Sequence, residues 1–370
     1  MSFEDRELPF DFDLLRDLTE FHGPPGYEDR VRGLVTEALE ERTDEVRTDA
    51  MGNVVGTVEA SSTSSRTQSG DTVEGDSDYS VVVAAHIDEI GFMVRHVTDE
   101  GFLQLDAIGG WDPRVLRAQR VAVHTAQGEL TGVIGSVPPH TQDDEEKESR
   151  QEVHDVHVDM GRDGETVSEL VSVGDLVTMR QSTEIVGNHV TGKALDDRVC
   201  VFAMLEAAER LSDPDVTVHF AATTQEEVGL RGAEALGADV RPDLAIALDV
   251  TVANDVPGFE DGDQVTRLGE GTAIKLKDGS VITNPKVNRR LREVAEGSDV
   301  DYQLEVLPSG GTDTASLQRA GGATPAGALS IPTRYLHTVT ESAHVEDIVA
   351  TTDLLTAFLE SEDGSVDYTP

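Results

Sequence analysis

Histidine and carboxylate side chains recur where the apolar segments of this chain end. Several strand-like segments end in such groups and one helix start carries two more, giving His86, Asp88, Glu226, Glu227, Asp249, His337, Asp196 and Asp197. Mixed histidine and carboxylate ligands suit zinc or a similar divalent ion. Two histidines with three carboxylates exceed the needs of one tetrahedral zinc and suit two ions, about 3.5–4 Å apart, that share a bridging carboxylate. The pattern therefore predicts a two-metal centre.

The neighbouring Glu226 and Glu227 can divide the work at such a centre. One carboxylate would bind a metal ion, while the other stays free to take a proton from a water held between the ions. Asp88, two residues after His86, can accept the second ring N–H of that histidine and fix its tautomer. Taken singly, each group has an ordinary explanation, because glutamates of an acidic chain are mostly solvated and acids complement a helix start. Only the combination favours a metal centre.

Apolar runs that alternate with helical periodicity predict an α/β fold. VVVAA (81–85), VTVHFAATT (216–224) and DLAIALDV (243–250) are typical of buried strands, and VCVFAMLEAAERL (199–211) is typical of a helix. Strands that alternate with helices indicate a mostly parallel sheet flanked by helices. Ligands gather beyond the carboxyl ends of such strands, so we expect the histidines and carboxylates to meet at one edge of the sheet.

Between residues 90 and 188 the pattern changes to short alternating segments separated by glycine, proline and acidic turns. This spacing predicts an inserted small all-β domain, a barrel or a sandwich. The chain is thereby divided into one domain of residues 1–89 and 189–370 and a second domain of residues 90–188. The polar stretches 61–78 and 140–152 are predicted as surface loops, because neither can bury a core.

Composition limits the classes of function and partner. The 370 residues carry a formal net charge of −43, which would repel nucleic acid and an anionic membrane surface. The acids are spread along the chain, which favours a protein adapted to concentrated salt, as in a halophilic archaeon, where screening offsets self-repulsion. Cys200 is the only cysteine, so no intrachain disulfide can form. With no signal segment and no run of 18 apolar residues, we expect a cytoplasmic protein.

Eight ordered motifs resemble those of one known family. They are AAHIDEIGFMV (84–94), IGGWDPRVL (108–116), GVIGSVPPH (132–140), GKALDDRV (192–199), TTQEEVGLRGA (223–233), ALDVT (247–251), PSGGTDTASLQ (308–318) and IPTRYLHTVTE (331–341). Together they resemble the tetrahedral aminopeptidases, also called deblocking or glutamyl aminopeptidases. The resemblance implies a cytosolic metallopeptidase that removes N-terminal residues from short peptides. It also implies an inserted β domain used for dimerisation and a hollow twelve-subunit tetrahedron built from dimers.

The resemblance further implies roles for the metal-binding residues. His86 would bind one of two divalent ions, zinc or cobalt, and His337 would bind the other. Asp196 would bridge them, with a cis peptide bond to Asp197. The terminal carboxylate ligands would be Glu227 and Asp249.

Glu226 resembles the general base of the family, and Asp88 the acid behind the first histidine. His344 is the best rival to His337 as a ligand, and Thr312 and Asp313 could touch substrate. A second pair, His154 and His157, is predicted to lie on the surface of the inserted domain.

Two other classes of function stay open from the sequence. Paired carboxylates can act in a glycosidase, but the two strand-end histidines argue against one, because a carboxylate pair needs no metal. A non-catalytic metal-binding protein would be expected to lack a free base such as Glu226 beside the ligands. Neither the preferred N-terminal residue nor the native metal follows from the motifs.

Overall fold

The computed structural model describes residue 3 and residues 8–61, 79–141 and 152–369. Most of the two predicted surface loops, 61–78 and 140–152, lies outside the described residues. Within the described ranges the helices are α1 (Phe12–Glu20), α2 (Asp29–Glu40), α3 (Gly164–Leu170), α4 (Leu195–Arg210), α5 (Arg231–Val240), α6 (Pro285–Gly297), α7 (Thr314–Leu317) and α8 (Val345–Glu360).

The strands fall into two groups, a large sheet and a barrel. The sheet strands are β1 (Glu45–Thr48), β2 (Val54–Val58), β3 (Ser80–His86), β10 (Glu184–Val186), β11 (His189–Gly192), β12 (Thr217–Thr223), β13 (Leu244–Val252), β14 (Thr272–Lys277), β15 (Tyr302–Val306), β16 (Ala326–Arg334) and β17 (Glu341–His344). The barrel strands are β4 (Gly91–Val97), β5 (Phe102–Ile108), β6 (Gln119–Thr125), β7 (Gly128–Ile134), β8 (His157–Asp159) and β9 (Leu176–Met179).

The large sheet is mixed, with a parallel centre. Its order is β1-β2-β12-β3-β13-β16-β17-β11-β10, with β14 against β16 and β15 beyond β14. The central strands β12, β3, β13 and β16 are parallel, as the sequence predicts, and the flanks consist of antiparallel pairs and the parallel pair β14–β15. Helices α1, α2, α4, α6 and α8 share the apolar core on one face, and α5 and α7 pack on the other. The predicted α/β fold is confirmed.

The inserted segment forms a closed six-stranded antiparallel barrel in the order β4-β5-β8-β7-β6-β9. Its inward side chains form a core separate from that of the sheet, including Phe92, Leu105, Val123 and Val177. The short helix α3 adds Val167 to this core. The prediction of an inserted β barrel is confirmed, and the chain returns to the large sheet at β10, which pairs with β11.

Helix α4 lies at the centre of the fold. Its segment from Val199 to Leu205 is apolar on all sides and fully buried, as expected for a helix packed between a sheet and other helices. The first residues are irregular, since Asp196 and Asp197 have non-helical backbone angles and the peptide bond between them is cis, as the resemblance implies. Among the residues that the structure describes, none of the helices combines the length and apolar character needed to cross a bilayer.

Candidate active site

The parallel strands bring the predicted residues to one edge of the sheet. His86 ends β3 and lies opposite Thr223, which ends the neighbouring β12. Because adjacent parallel strands end at the same edge, the residues that follow them become neighbours. The other predicted residues lie in or near neighbouring elements. Glu226 and Glu227 follow β12, Asp249 lies in β13, His337 follows β16, and Asp196 lies at the start of α4.

Asp196 lies between the two predicted histidine ligands. Its Oδ1 is 3.1 Å from Nε2 of His86, and its Oδ2 is 3.4 Å from Nε2 of His337. Nε2 of His337 is also 3.6 Å from Oε1 of Glu227. Since the two carboxylate oxygens of Asp196 face different imidazoles, this residue has the placement that a bridging ligand needs.

A second group of metal-binding atoms overlaps the first. The ligand atoms of His86, Asp196 and Glu227 lie within 4.8 Å of one another, and so do those of His86, Asp197 and Asp249. Asp197 was not singled out as a ligand by the sequence. Its Oδ2 accepts the backbone N–H of His86 at 3.2 Å, and its Oδ1 is buried without a hydrogen-bond partner.

Asp88 positions both glutamates and the first histidine. Its Oδ1 accepts the backbone N–H of Glu226 at 3.0 Å, and its Oδ2 accepts that of Glu227 at 3.1 Å. Nδ1 of His86 lies 3.1 Å from the main-chain oxygen of Asp88 and 3.6 Å from its Oδ1. The Asp88 carboxylate therefore lies beside the imidazole, as the sequence predicts, and in addition binds the backbone of both glutamates.

His337 is held by two groups that sequence reasoning did not assign. The main-chain oxygen of Gly110, in the loop after barrel strand β5, lies 2.6 Å from Nδ1 of His337. Glu341, at the start of β17, accepts the backbone N–H of His337 at 2.8 Å and that of Asp196 at 3.1 Å. The GGW and HTVTE motifs contain both residues, but their roles follow only from contacts made across the fold.

The rival histidines lie elsewhere. His344 ends β17 and caps the start of α8, where its Nδ1 accepts the backbone N–H of Glu346 at 3.2 Å, and its ring packs against that of His189. Neither His344 nor His337 belongs to the two groups of metal-binding atoms found among the described residues, but Nε2 of His337 lies within 3.6 Å of carboxylate oxygens of Asp196 and Glu227. His154 is exposed on the inserted segment, and His157 lies beside Gln104. The geometry therefore favours His337 over His344.

Crowding of buried carboxylates changes the charge states of the site. Burial, reinforced by the charge of Asp196, raises the pKa of Glu227 to about 8. Burial, with Asp249 adding to it, raises the pKa of Glu226 well above its usual value. Burial would lower the pKa of His337, but the carboxylates of Asp196 and Glu227 raise it to about 10. Without added positive charge, Glu226 and Glu227 therefore hold protons that they would lose in water, whereas the two histidines lower the pKa of Asp196 despite its burial.

The donor set fits divalent cations. Imidazole and carboxylate donors are the usual ligands of zinc and related ions. The carboxylates are buried and close to one another, and burying such charges is costly unless they are paired or bind a metal. The orphaned Oδ1 of Asp197 is one atom that a cation nearby would stabilise. We conclude that these residues can hold metal.

The candidate site opens into a cavity of about 650 Å³. Its lining includes both histidines, Asp196, Glu226, Glu227 and Asp249. Of the two residues suggested as substrate contacts, Thr312 lines the cavity. Asp313 is buried and accepts a hydrogen bond from the hydroxyl group of Thr223. Burial raises the pKa of Asp313 to about 6. The cavity is large enough for a short peptide end.

Comparison with known proteins identifies the family. Residues 71–354 match the model of the M42 glutamyl aminopeptidase family. The lysyl aminopeptidase of Pyrococcus furiosus is 34% identical over 370 residues, which cover 97% of this chain and 99% of that protein. The structure resembles that of an aminopeptidase from Desulfurococcus kamchatkensis, with 37% identity, a TM-score of 0.87 and coverage of 95% and 94%.

It also resembles the TET1 peptidase of Pyrococcus horikoshii, with 31% identity, a TM-score of 0.82 and coverage of 95% and 99% of the two chains. That peptidase can assemble into a tetrahedron or a large octahedral shell. The chain therefore belongs to the M42 glutamyl aminopeptidase family, and with it to the metallo-aminopeptidases.

Proposed function

We propose that this chain hydrolyses the N-terminal peptide bond of short peptides with two divalent ions, zinc or cobalt. His86, Asp196 and Asp249 would hold one ion, and Asp196, Glu227 and His337 the other. The observation that carries the proposal is the position of Asp196, whose two carboxylate oxygens face the two histidines. When bound, the ions would polarise the scissile carbonyl and lower the pKa of an attacking water.

Glu226 is the proposed general base. It lines the cavity beside Glu227, and neither of the two proposed ligand sets uses it, so its carboxylate would stay available for proton transfer. Its buried surroundings raise its pKa, and the positive charge of bound ions would lower it again, so that the carboxylate could be ionised and accept a proton. It would take a proton from the attacking water and deliver it to the leaving amine.

Other residues of the chain keep this arrangement in place. Asp88 accepts hydrogen bonds from the backbone N–H groups of Glu226 and Glu227 and would thereby hold the base and the adjacent ligand in place. Gly110 and Glu341 fix the ring and the backbone of His337. Such supporting contacts typically change metal affinity or activity by about 10–100-fold when they are removed.

The test is a hydrolysis assay on purified protein in high salt. Aminoacyl-anilides should be cleaved, a chelator should abolish cleavage, and added zinc or cobalt should restore it. A β-glucan serves as the alternative substrate, since paired carboxylates also occur in glycosidases. Chelator-insensitive cleavage of the glucan without anilide cleavage would refute the proposal.

We also propose that the barrel domain, residues 90–188, mediates dimerisation and that dimers form a tetrahedral dodecamer in the cytoplasm. The resemblance to the shell-forming peptidase of Pyrococcus horikoshii supports self-association. Light scattering in high salt should give about 480 kDa, twelve times the chain mass of 39.8 kDa. A monomer mass under the same conditions would contradict the assembly.

A further inference from the structure

The cavity that contains the metal-binding residues is also lined by aliphatic side chains, which form its aliphatic wall. Leu230, Val252, Leu307 and Leu336 are half-buried in its lining, and Val250 is buried. The histidines and carboxylates occupy the sheet edge of the same cavity. A peptide whose first amide lies at that edge must direct its N-terminal side chain toward the other walls, where aliphatic surface favours apolar groups.

One basic residue, Lys275, belongs to this lining. Among the described residues that line the cavity, Lys275 is the one lysine or arginine, and its side chain is fully buried. It lies opposite Glu305 in the parallel pair β14–β15, and its ammonium group binds the Glu305 carboxylate. Oδ2 of Asp278 is 3.9 Å from the same nitrogen.

The ion pair between Lys275 and Glu305 determines which charge on the substrate's N-terminal side chain this wall can bind. The ammonium of Lys275 is already paired with the buried carboxylate of Glu305, so an acidic substrate side chain meets no free cation there. Such a side chain would also add negative charge near Glu226 and Asp249. A basic side chain gains no partner in this wall either, because the Glu305 carboxylate is already bound by Lys275. Both charged classes are therefore disfavoured against an uncharged aliphatic side chain.

We propose that the site prefers peptides with an aliphatic N-terminal side chain of leucine size, and that Glu305 enforces this preference by masking Lys275. This inference rests on the aminopeptidase function proposed above. It adds the class of substrate side chain and assigns a specificity-determining role to Glu305, a residue that touches Lys275 rather than the reacting atoms.

The first test compares kcat/KM of the metal-loaded protein on leucyl-, glutamyl- and lysyl-anilides in the same high-salt buffer. The leucyl substrate should be favoured over both charged substrates at least about tenfold, the lower range for discrimination by a single pocket contact. A glutamyl or lysyl preference would overturn the inference while leaving the aminopeptidase function intact. No cleavage of any anilide would instead overturn the proposed function.

The second test unmasks the lysine. Glu305→Gln keeps the shape of the side chain and removes the carboxylate bound to Lys275, so that a substrate carboxylate competes for the ammonium only with Asp278, whose Oδ2 is 3.9 Å away. The ratio of glutamyl to leucyl kcat/KM should rise about ten- to hundredfold, the effect expected of one hydrogen bond to a charged group. The exposed Glu293→Gln is the matched control and should not change the ratio. An unchanged ratio in a folded Glu305→Gln protein would contradict the masking role.

A double variant keeps the inference testable if Glu305→Gln does not fold. Lys275→Met combined with Glu305→Leu replaces a buried ion pair by apolar side chains, a change that proteins often tolerate. The leucyl preference should persist or increase, because no cation remains in the wall. A rise in the glutamyl ratio in this double variant would show that Lys275 and Glu305 do not control the preference.

Discussion

Replacing Asp88 by asparagine should disturb the placement of Glu226 and Glu227 while leaving both glutamate side chains in the protein. Asp88 is fully buried, and its two carboxylate oxygens accept the backbone N–H groups of Glu226 and Glu227. Asparagine has nearly the same shape but turns one acceptor into an NH₂ donor. One of the two N–H groups would then face another donor, while the main-chain contact of residue 88 with His86 stays in place.

The magnitude follows from the contact that is lost. A hydrogen bond to a charged group contributes about 1.5–3 kcal/mol, and leaving a buried donor unpaired costs a similar amount. If that energy is lost from the active arrangement, kcat should fall by about 10–100-fold, since each factor of ten corresponds to about 1.4 kcal/mol. The independent range for groups that support metal ligands is also about 10–100-fold.

The assay measures kcat, metal content and thermal unfolding for Asp88→Asn and for the exposed control Asp106→Asn. We expect the Asp88 variant to be folded, slower and weaker in metal binding, and the control to match the wild type. Wild-type kcat and metal affinity in a folded Asp88→Asn protein would refute the positioning role.

Two further predictions concern Gly110 and His22. A Cβ on Gly110 would lie 3.0 Å from Nδ1 of His337, so Gly110→Ala should weaken metal binding in a titration, whereas Gly135→Ala, with open space around it, should not. Burial, and then the charge of Lys193, lowers the pKa of His22 to about 4 from 6.5. Below pH 6.5 the unfolded state binds a proton on His22 that the folded state does not bind until the pH approaches 4. The free energy of unfolding therefore decreases as the pH falls from 6.5 toward 4, by at most about 3 kcal/mol. Urea unfolding at pH 7 and 4.5 should show a smaller loss for His22→Gln than for the wild type or the exposed His154→Gln; equal losses would contradict the assignment.

The sequence could bring the candidate residues to one edge of the sheet because adjacent parallel strands end side by side. His86, Asp249 and the Glu226–Glu227 pair each lie in or just after an apolar run, and adjacent parallel strands place such positions at one edge. The predicted central strands and the inserted barrel followed from periodicity in the same way. The antiparallel flanks formed by β10, β11 and β17 did not, because short strands carry little periodic signal.

Contacts across long sequence separation could not be predicted. Gly110 reaches His337 from the inserted barrel, 227 residues away in the chain. The masking of Lys275 by Glu305 depends on the pairing of β14 with β15, which the pattern of either strand alone does not reveal. The sequence predicts Asp88 beside the His86 ring, where its Oδ1 lies 3.6 Å from Nδ1, but not the two backbone N–H groups that the turn after β12 also brings to its carboxylate.

The division of labour between Glu226 and Glu227 is the central claim, and metal content measured together with turnover tests it most directly. Glu226→Gln should keep the wild-type metal content by elemental analysis and lose most of its turnover, because the ligands remain and the base is gone. Glu227→Gln should lose metal as well as turnover. Loss of metal from the Glu226 variant, or substantial turnover in it at full metal occupancy, would contradict the account.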